Sequence, residues 1–435
     1  MMRRQYLVLV PFMLGAAAPA REPHDGLDAA ARDYVRLQLA IGEKEDGYID
    51  AYYGPSDLKA EGQSLAKREG LSELQRDAEE LRSRVEKLGR SASDARRARF
   101  LSVQLTAAVT RLRMLRGEKL SFDDEALGQF GLLPHLKPLA AYDPVLARID
   151  RLVPGKGPLA ERVDAFQDRF VIKTGRLKPV FDAAIAGCKS RTQRHIKLPK
   201  GERFDLAFVT GKSWSGYNYY QGNYTSRIEV NTDLPIRISR AVDLGCHEGY
   251  PGHHVLNSLL EQKLERGRGW IEFSVYPLFS PQSVIAEGSA NYGIDLAFPG
   301  VQKLGFETST LYPRAGLPTR EAARYSALLK AMKNLAGARM TIAREFLDGR
   351  ISEAQALDLT RRYQLMSEAR AKQSIAFTKQ YRTYVLNYGL GEQMVREDVE
   401  SRRGTAARWK RFEQIISEPT LPADLTASRS APARS

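Results

Sequence analysis

Pro251 stands four residues after His247, inside the run Cys246-His247-Glu248-Gly249-Tyr250-Pro251-Gly252-His253-His254, which holds three of the chain's six histidines. No α-helix passes such a point unbroken. The proline ring collides with the carbonyl four residues earlier, and the missing N–H removes the bond that carbonyl would accept. Gly249 and Gly252 flank the proline and admit unusual backbone angles. A helix beginning near Ser239 is therefore expected to carry a bulge over residues 249–252.

A histidine pair with an adjacent carboxylate is the minimal equipment of a hydrolytic zinc site: the imidazoles hold the metal and the glutamate deprotonates the water that the metal acidifies. In the usual H-E-x-x-H form, four residues advance a helix by about 400°, so both rings share a face roughly 6 Å apart along the axis. Here His253 is six positions after His247 and His254 is seven. In an unbroken helix His253 would point about 120° away, and His254 would return to the face but about 10 Å along it. A bulge that loops out the extra residues remedies this. His253 is the first choice as second ligand, because Gly252-His253 matches the end of an H-E-x-G-H run; His254 is the alternative. Catalytic zinc keeps three protein ligands and one open position. Glu287 is expected as the third, on a helix rich in small residues (Ala286, Gly288, Ser289, Ala290, Gly293) that allow close approach. Its apolar neighbours Ile285 and Ile294 mark it as buried, and a buried carboxylate needs a partner or a metal. Asp243 and Asp295 are either acids that orient an imidazole or surface charges.

At these residues the chain resembles a bacterial family catalogued as a domain of unknown function, marked by His-Glu-x-x-Pro-Gly-His-His and a later Glu-Gly-x-Ala-x-Tyr. The resemblance takes in most of the mature chain, including Tyr48-Ile49-Asp50-Ala51-Tyr52-Tyr53-Gly54-Pro55, Trp214-Ser215-Gly216-Tyr217, Asn231-Thr232-Asp233-Leu234-Pro235 and Tyr384-Val385-Leu386-Asn387-Tyr388. That family is similar to the gluzincin metallopeptidases. The resemblance implies a mainly α, zincin-like metallopeptidase fold with a deep cleft. It also implies zinc held by His247, His253 or His254, and Glu287, with Glu248 as general base. The histidine spacing, longer than in an ordinary gluzincin, leaves the second ligand open.

Residues 1–20 read as a secretory signal: Arg3 and Arg4 begin it, an apolar stretch follows, and Ala18-Pro19-Ala20 offers a small-residue cleavage site. The apolar stretch is too short to span a bilayer, and no cysteine follows it to carry a lipid anchor. The expectation is an exported protein, periplasmic or secreted, with no integral membrane segment after signal removal. Residues 21–418 are expected to form a mostly helical zinc-hydrolase domain, as one body or two lobes, and residues 419–435, rich in Pro, Ala and Ser, a disordered tail. The formal net charge of +14 admits nucleic acid or an anionic surface as partner. The basic residues are dispersed among acids, however, and no nucleic-acid motif is present, so a solvated basic surface is the reading. Cys188 and Cys246, the two cysteines, either pair in an oxidising compartment or remain buried thiols.

Elsewhere the pattern is helical. Leu71, Leu74, Ala78, Leu81, Val85 and Leu88 step by threes and fours; helices are also expected over residues 27–53 (with a turn), 95–116, 123–132, 143–153, 159–187, 319–347, 352–371 and 373–395. Between about 200 and 235, tyrosines and β-branched residues predict a small antiparallel sheet beside the metal helix. Its edge would lay an extended substrate across the metal. A developing oxyanion needs a donor besides the metal; Tyr384, Tyr388 and Arg382 are the candidates, the two tyrosines sharing a helix face. The function expected is cleavage of a peptide or amide bond. The alternatives are a zinc amidase or esterase on non-peptide substrates, or a non-catalytic metal-containing binding protein.

Overall fold

The apolar stripe Leu74, Ala78, Leu81 and Val85 is buried along the helix Leu71–Gly89 in the computed structural model, which describes residues 26–90 and 95–425. This helix packs against Ala95–Leu115, and both contact the first helix, Leu27–Gly42. The fold is mainly helical; most buried side chains from Leu27 to Leu425 join in one cluster, and Phe122, Ala126, Ala343, Val385 and Leu386 form a second, smaller one. Several expected long helices are broken. Residues 159–187 become Leu159–Asp168 and Leu177–Thr192. Between them the chain runs beside the entry to the metal motif: Ile172 N–H donates to the Ile236 carbonyl and Ile238 N–H to the Phe170 carbonyl, each at 2.8 Å.

Among the described residues, five short strands interrupt the helices: β1 (Ile49–Tyr52), β2 (Arg203–Val209), β3 (Gly216–Tyr220), β4 (Thr225–Asn231) and β5 (Val275–Pro277). β1 pairs antiparallel with β5. The other three form a sheet in the order β2-β4-β3. The antiparallel expectation holds for the β3–β4 hairpin, but β2 and β4 pair parallel, so the sheet is mixed. Successive strands alternate direction. Because β4 takes the centre instead of β3, it runs with β2. Side-chain periodicity shows which face of a strand is buried and says nothing about which strand is central.

The stretch expected as one helix over residues 373–395 is a helix Glu368–Tyr381, a 3-10 turn Arg382–Tyr384, a π-helical turn Asn387–Gly391 and a further helix Glu392–Glu400. The cause lies outside the segment. Buried Glu125 captures the Arg382 guanidinium at 2.7 Å and the Thr383 hydroxyl at 2.7 Å, with Arg382 at φ 52°. Tyr384 and Tyr388 therefore do not ride one α-helix face, although their ring centroids lie 5.8 Å apart. The boundary expected at residue 419 also needs correction: Thr420, Leu421 and Leu425 are buried against the core. Residues 426–435 of the expected tail, and the expected signal at 1–20, lie outside the described residues. No helix among the described residues is long and apolar enough to cross a membrane.

Candidate metal centre

The helix Ser239–Leu244 widens into a π-helical turn at Gly245–Gly249, Tyr250 is extended, and a helix resumes at His253–Leu260. The expected interruption is present and begins earlier, at Gly245. The Gly252 N–H donates to the Cys246 carbonyl at 3.0 Å. A Cβ on Gly252 would fall 1.7 Å from the His247 carbonyl oxygen, so no side chain fits. Gly252→Ala is expected to unfold the motif or drive the two histidines apart. Loss of bound metal together with a destabilisation of about 3 kcal/mol or more, in the range of overpacked core sites, would be read by denaturant titration and metal analysis; a stable variant with full metal content contradicts the geometry.

This path brings His247 Nε2 to 3.1 Å from His253 Nε2. Glu287 arrives on the helix Pro281–Ala297, whose glycines allow two close crossings. A Cβ on Gly288 would meet the Gly391 backbone at 2.5 Å, and one on Gly293 would meet Pro251 Cγ at 2.9 Å. Glu287 Oε2 then lies 3.3 Å from His247 Nε2, and Oε1 lies 3.8 Å from His253 Nε2. One donor atom from each residue falls within 4.8 Å of the others. A tetrahedron with metal–ligand bonds of about 2.0–2.1 Å has edges of about 3.3 Å; the two imidazole nitrogens stand near that spacing, and the carboxylate lies within reach of both. Glu287 Oε2 is buried, and His247 Nε2 is its near partner; with that nitrogen unprotonated the oxygen has no donor. Two imidazoles and a carboxylate are a donor set that could hold a metal ion.

Asn291, one turn beyond Glu287, fixes the first ring. Its Nδ2 donates to the Tyr388 carbonyl at 3.1 Å, so its Oδ1, 3.0 Å from His247 Nδ1, must accept. His247 therefore carries a proton on Nδ1 and turns Nε2 toward His253 and Glu287. The Tyr384 hydroxyl donates to Glu287 Oε1 at 2.8 Å. The Tyr388 ring lies 6.5 Å from that of His247. Glu248 is buried, its Oε1 4.0 Å from His247 Nε2 and its backbone carbonyl held by Asn218 Nδ2 at 2.7 Å. Gly216, the first residue of β3, lies against the Glu248 carboxylate; a Cβ there would stand 3.0 Å from Oε1.

The charges are strongly coupled. Burial presses the His247 imidazolium down, but Glu248 and Glu287 outweigh it and hold the group up at about 9. Burial takes His253 down to about 4. Burial raises Glu287, yet the two histidines and Tyr384 bring it below the ordinary carboxylate range. Burial lifts Glu248 to about 7 against the pull of His247. Without metal at pH 7–8, His247 is thus protonated and His253 neutral, and an entering cation must displace the His247 proton. Metal affinity is expected to climb about tenfold per pH unit up to about pH 9 and then level off. Calorimetry in buffers of different ionisation enthalpy would read about one proton released per metal bound; release of none at pH 7 contradicts the assignment.

Other expected residues stand elsewhere. His254 faces away: its Nδ1 is 2.8 Å from Ser226 Oγ and its Nε2 is 2.9 Å from Glu202. The π-helical turn returns residue 253 to the ligand face and so turns residue 254 into the protein. Arg382 is committed to Glu125. Asp243 pairs with Lys303, and Asp295 with Arg396 and Lys333, so neither orients an imidazole. Cys188 and Cys246 form a disulfide that ties the helix Leu177–Thr192 to the motif. The reading from sequence missed Asn291, although its place one helical turn after Glu287 was a usable signal. It also missed Asp50, whose carboxylate accepts from the Tyr217 hydroxyl and is lifted by burial to about 7, and Arg339.

No family model matches the chain, and no curated protein matches it. Solved structures similar to it include the following two. One, a protein assigned as a lipoprotein from Colwellia psychrerythraea, is 16% identical with a TM-score of 0.49 over 82% of this chain. The chain spans 65% of that protein's length. The other, an M32 carboxypeptidase from Deinococcus radiodurans R1, is 12% identical with a TM-score of 0.39, covering 92% of this chain and 94% of its own.

Proposed function

We propose that this chain is an exported zinc-dependent peptidase with a zincin-like, cleft-bearing fold, akin to the family marked by His-Glu-x-x-Pro-Gly-His-His. The observation that carries the reading is the convergence of His247 Nε2, His253 Nε2 and Glu287 within 4.8 Å of one another, directly beside the buried Glu248 carboxylate. A purely structural metal site closes its fourth position and has no need of a base at its edge. Zinc, when bound by these three residues, would acidify a water and polarise the scissile carbonyl.

The remaining work belongs to the chain's own residues. Glu248 accepts the proton of the attacking water and delivers it to the leaving amine. Tyr384 holds Glu287 in position through its hydroxyl. Tyr388 is the phenol that donates to the developing oxyanion: its ring flanks His247, and its hydroxyl makes no hydrogen bond to a described residue. β3, an edge strand of its sheet, begins against Glu248 and gives an extended backbone a ladder to pair with. That edge favours a peptide over a compact ester. Export is supported by the leader-like first 20 residues and by the Cys188–Cys246 disulfide, which persists in oxidising compartments. Purified protein should carry one zinc per chain and cleave members of a peptide pool scored by mass spectrometry. Cleavage of an ester panel alone would make it an esterase, and stoichiometric zinc with no hydrolysis would make it a binding protein.

A further inference from the structure

One cation beside the site has no carboxylate partner among the described residues. Arg339, on the helix Ala336–Leu347, has its guanidinium carbon 5.7 Å from the Tyr388 ring centroid and 5.3 Å from that of Phe377. Its Nε is shut off from solvent without a hydrogen-bond partner, and no described residue forms an ion pair with it. The buried arginines Arg97, Arg111 and Arg237 are matched by Glu272 and Asp28, by Glu45, and by Asp164 and Asp168, whereas half-buried Arg339 is not. Burial lowers the guanidinium's hold on its proton, with only Tyr388 and Glu287 working against that. Aromatic faces return part of the lost hydration, but a partly buried guanidinium is best satisfied by an oxyanion that meets its fork with two parallel bonds.

The position says where that anion comes from. The Tyr388 ring flanks both Arg339 and the metal ligand His247. In a peptide cut at its last bond, the terminal carboxylate hangs on the same Cα as the scissile nitrogen, within about 4 Å of the scissile carbonyl carbon. We propose that Arg339 binds the free α-carboxylate of the residue on the leaving side, which makes the substrate class short peptides or N-acyl amino acids cut at their C-terminal bond. This rests on the peptidase reading above and deepens it.

The test compares an N-blocked dipeptide as free acid with its C-terminal amide, on the zinc-loaded protein. The wild type is expected to prefer the acid by about 100-fold in kcat/KM, since an unfilled guanidinium penalises the amide. Arg339→Gln is expected to lose about 100-fold on the acid and little on the amide, collapsing the preference. Arg339→Lys, which keeps charge and bulk without the fork, should fall between, and it carries the test if the glutamine variant does not fold. Equal cleavage of acid and amide by the wild type overturns the proposal. So does an equal loss on both substrates in the variants, which would assign Arg339 to supporting Tyr388. A separate measurement protects against failure of the peptidase reading. A dipeptide with a reduced, uncleavable bond, as free acid and as C-terminal amide, is titrated calorimetrically into Glu248→Gln protein with and without Arg339→Gln. Carboxylate-dependent binding lost with Arg339 supports the proposal even where no peptide is cut, and binding that ignores either change refutes it.

Discussion

Glu248→Gln is expected to keep its zinc and lose turnover, with kcat falling about 10³-fold or more, near the upper part of the range for a general acid–base group. Glutamine has the same shape and fills the same space against Gly216, but it cannot take a proton. The metal stays because Glu248 lies outside the converging triad, its Oε1 4.0 Å from His247 Nε2. A stability measurement separates lost chemistry from lost fold. In the metal-free protein burial raises the Glu248 carboxyl to about 7, above its unfolded value. The folded state therefore binds the extra proton, and the ionised form destabilises it as pH rises toward and past 7. A neutral glutamine removes that penalty, so the variant should melt no lower than the wild type at pH 8. Metal analysis, steady-state kinetics and thermal unfolding on one preparation would check this; substantial turnover by zinc-loaded Glu248→Gln protein would remove Glu248 as the base.

The second large effect distinguishes two adjacent histidines. His253→Ala is expected to lose zinc on dialysis against a mild chelator, with affinity falling by more than the 10- to 100-fold typical of losing a partner of a ligand. His254→Ala should keep zinc stoichiometrically yet lose stability, because the buried Ser226 hydroxyl would lose its partner, at a cost of about 1 to 3 kcal/mol, while Glu202 keeps Tyr250 and Lys189. Zinc content by atomic spectroscopy, set beside denaturant unfolding, reads both variants at once. A folded His254→Ala protein without zinc, or a His253→Ala protein that holds it, would reverse the assignment.

Most of the candidate site is legible in the sequence because its chemistry is local. Histidine beside glutamate, a proline that must break the helix, and a carboxylate among small apolar residues are each readable within a dozen positions. The helices Leu71–Gly89 and Ala95–Leu115 are legible for a similar reason, since a 3.6-residue period shows in the pattern of the segment itself. Asn291 was within reach of the same reasoning, one turn from Glu287. The break at Arg382 was not, because its cause is Glu125, far away in sequence.

Local order of residues is enough to place an interrupted helix at His247–His254 and a buried carboxylate at Glu287, since proline stereochemistry and the needs of a buried charge act at short range. Long-range closure sets the rest: His253 and not His254 turns to Glu287, β4 and not β3 lies central, Cys188 meets Cys246, and Arg339 meets no carboxylate among the described residues. Each of these depends on how the backbone path and distant elements close upon one another: Gly288 against Gly391, Gly293 against Pro251, the Gly252 amide on the Cys246 carbonyl. Side-chain periodicity carries no information about such contacts, because they are set by packing between segments rather than by the order of residues within one.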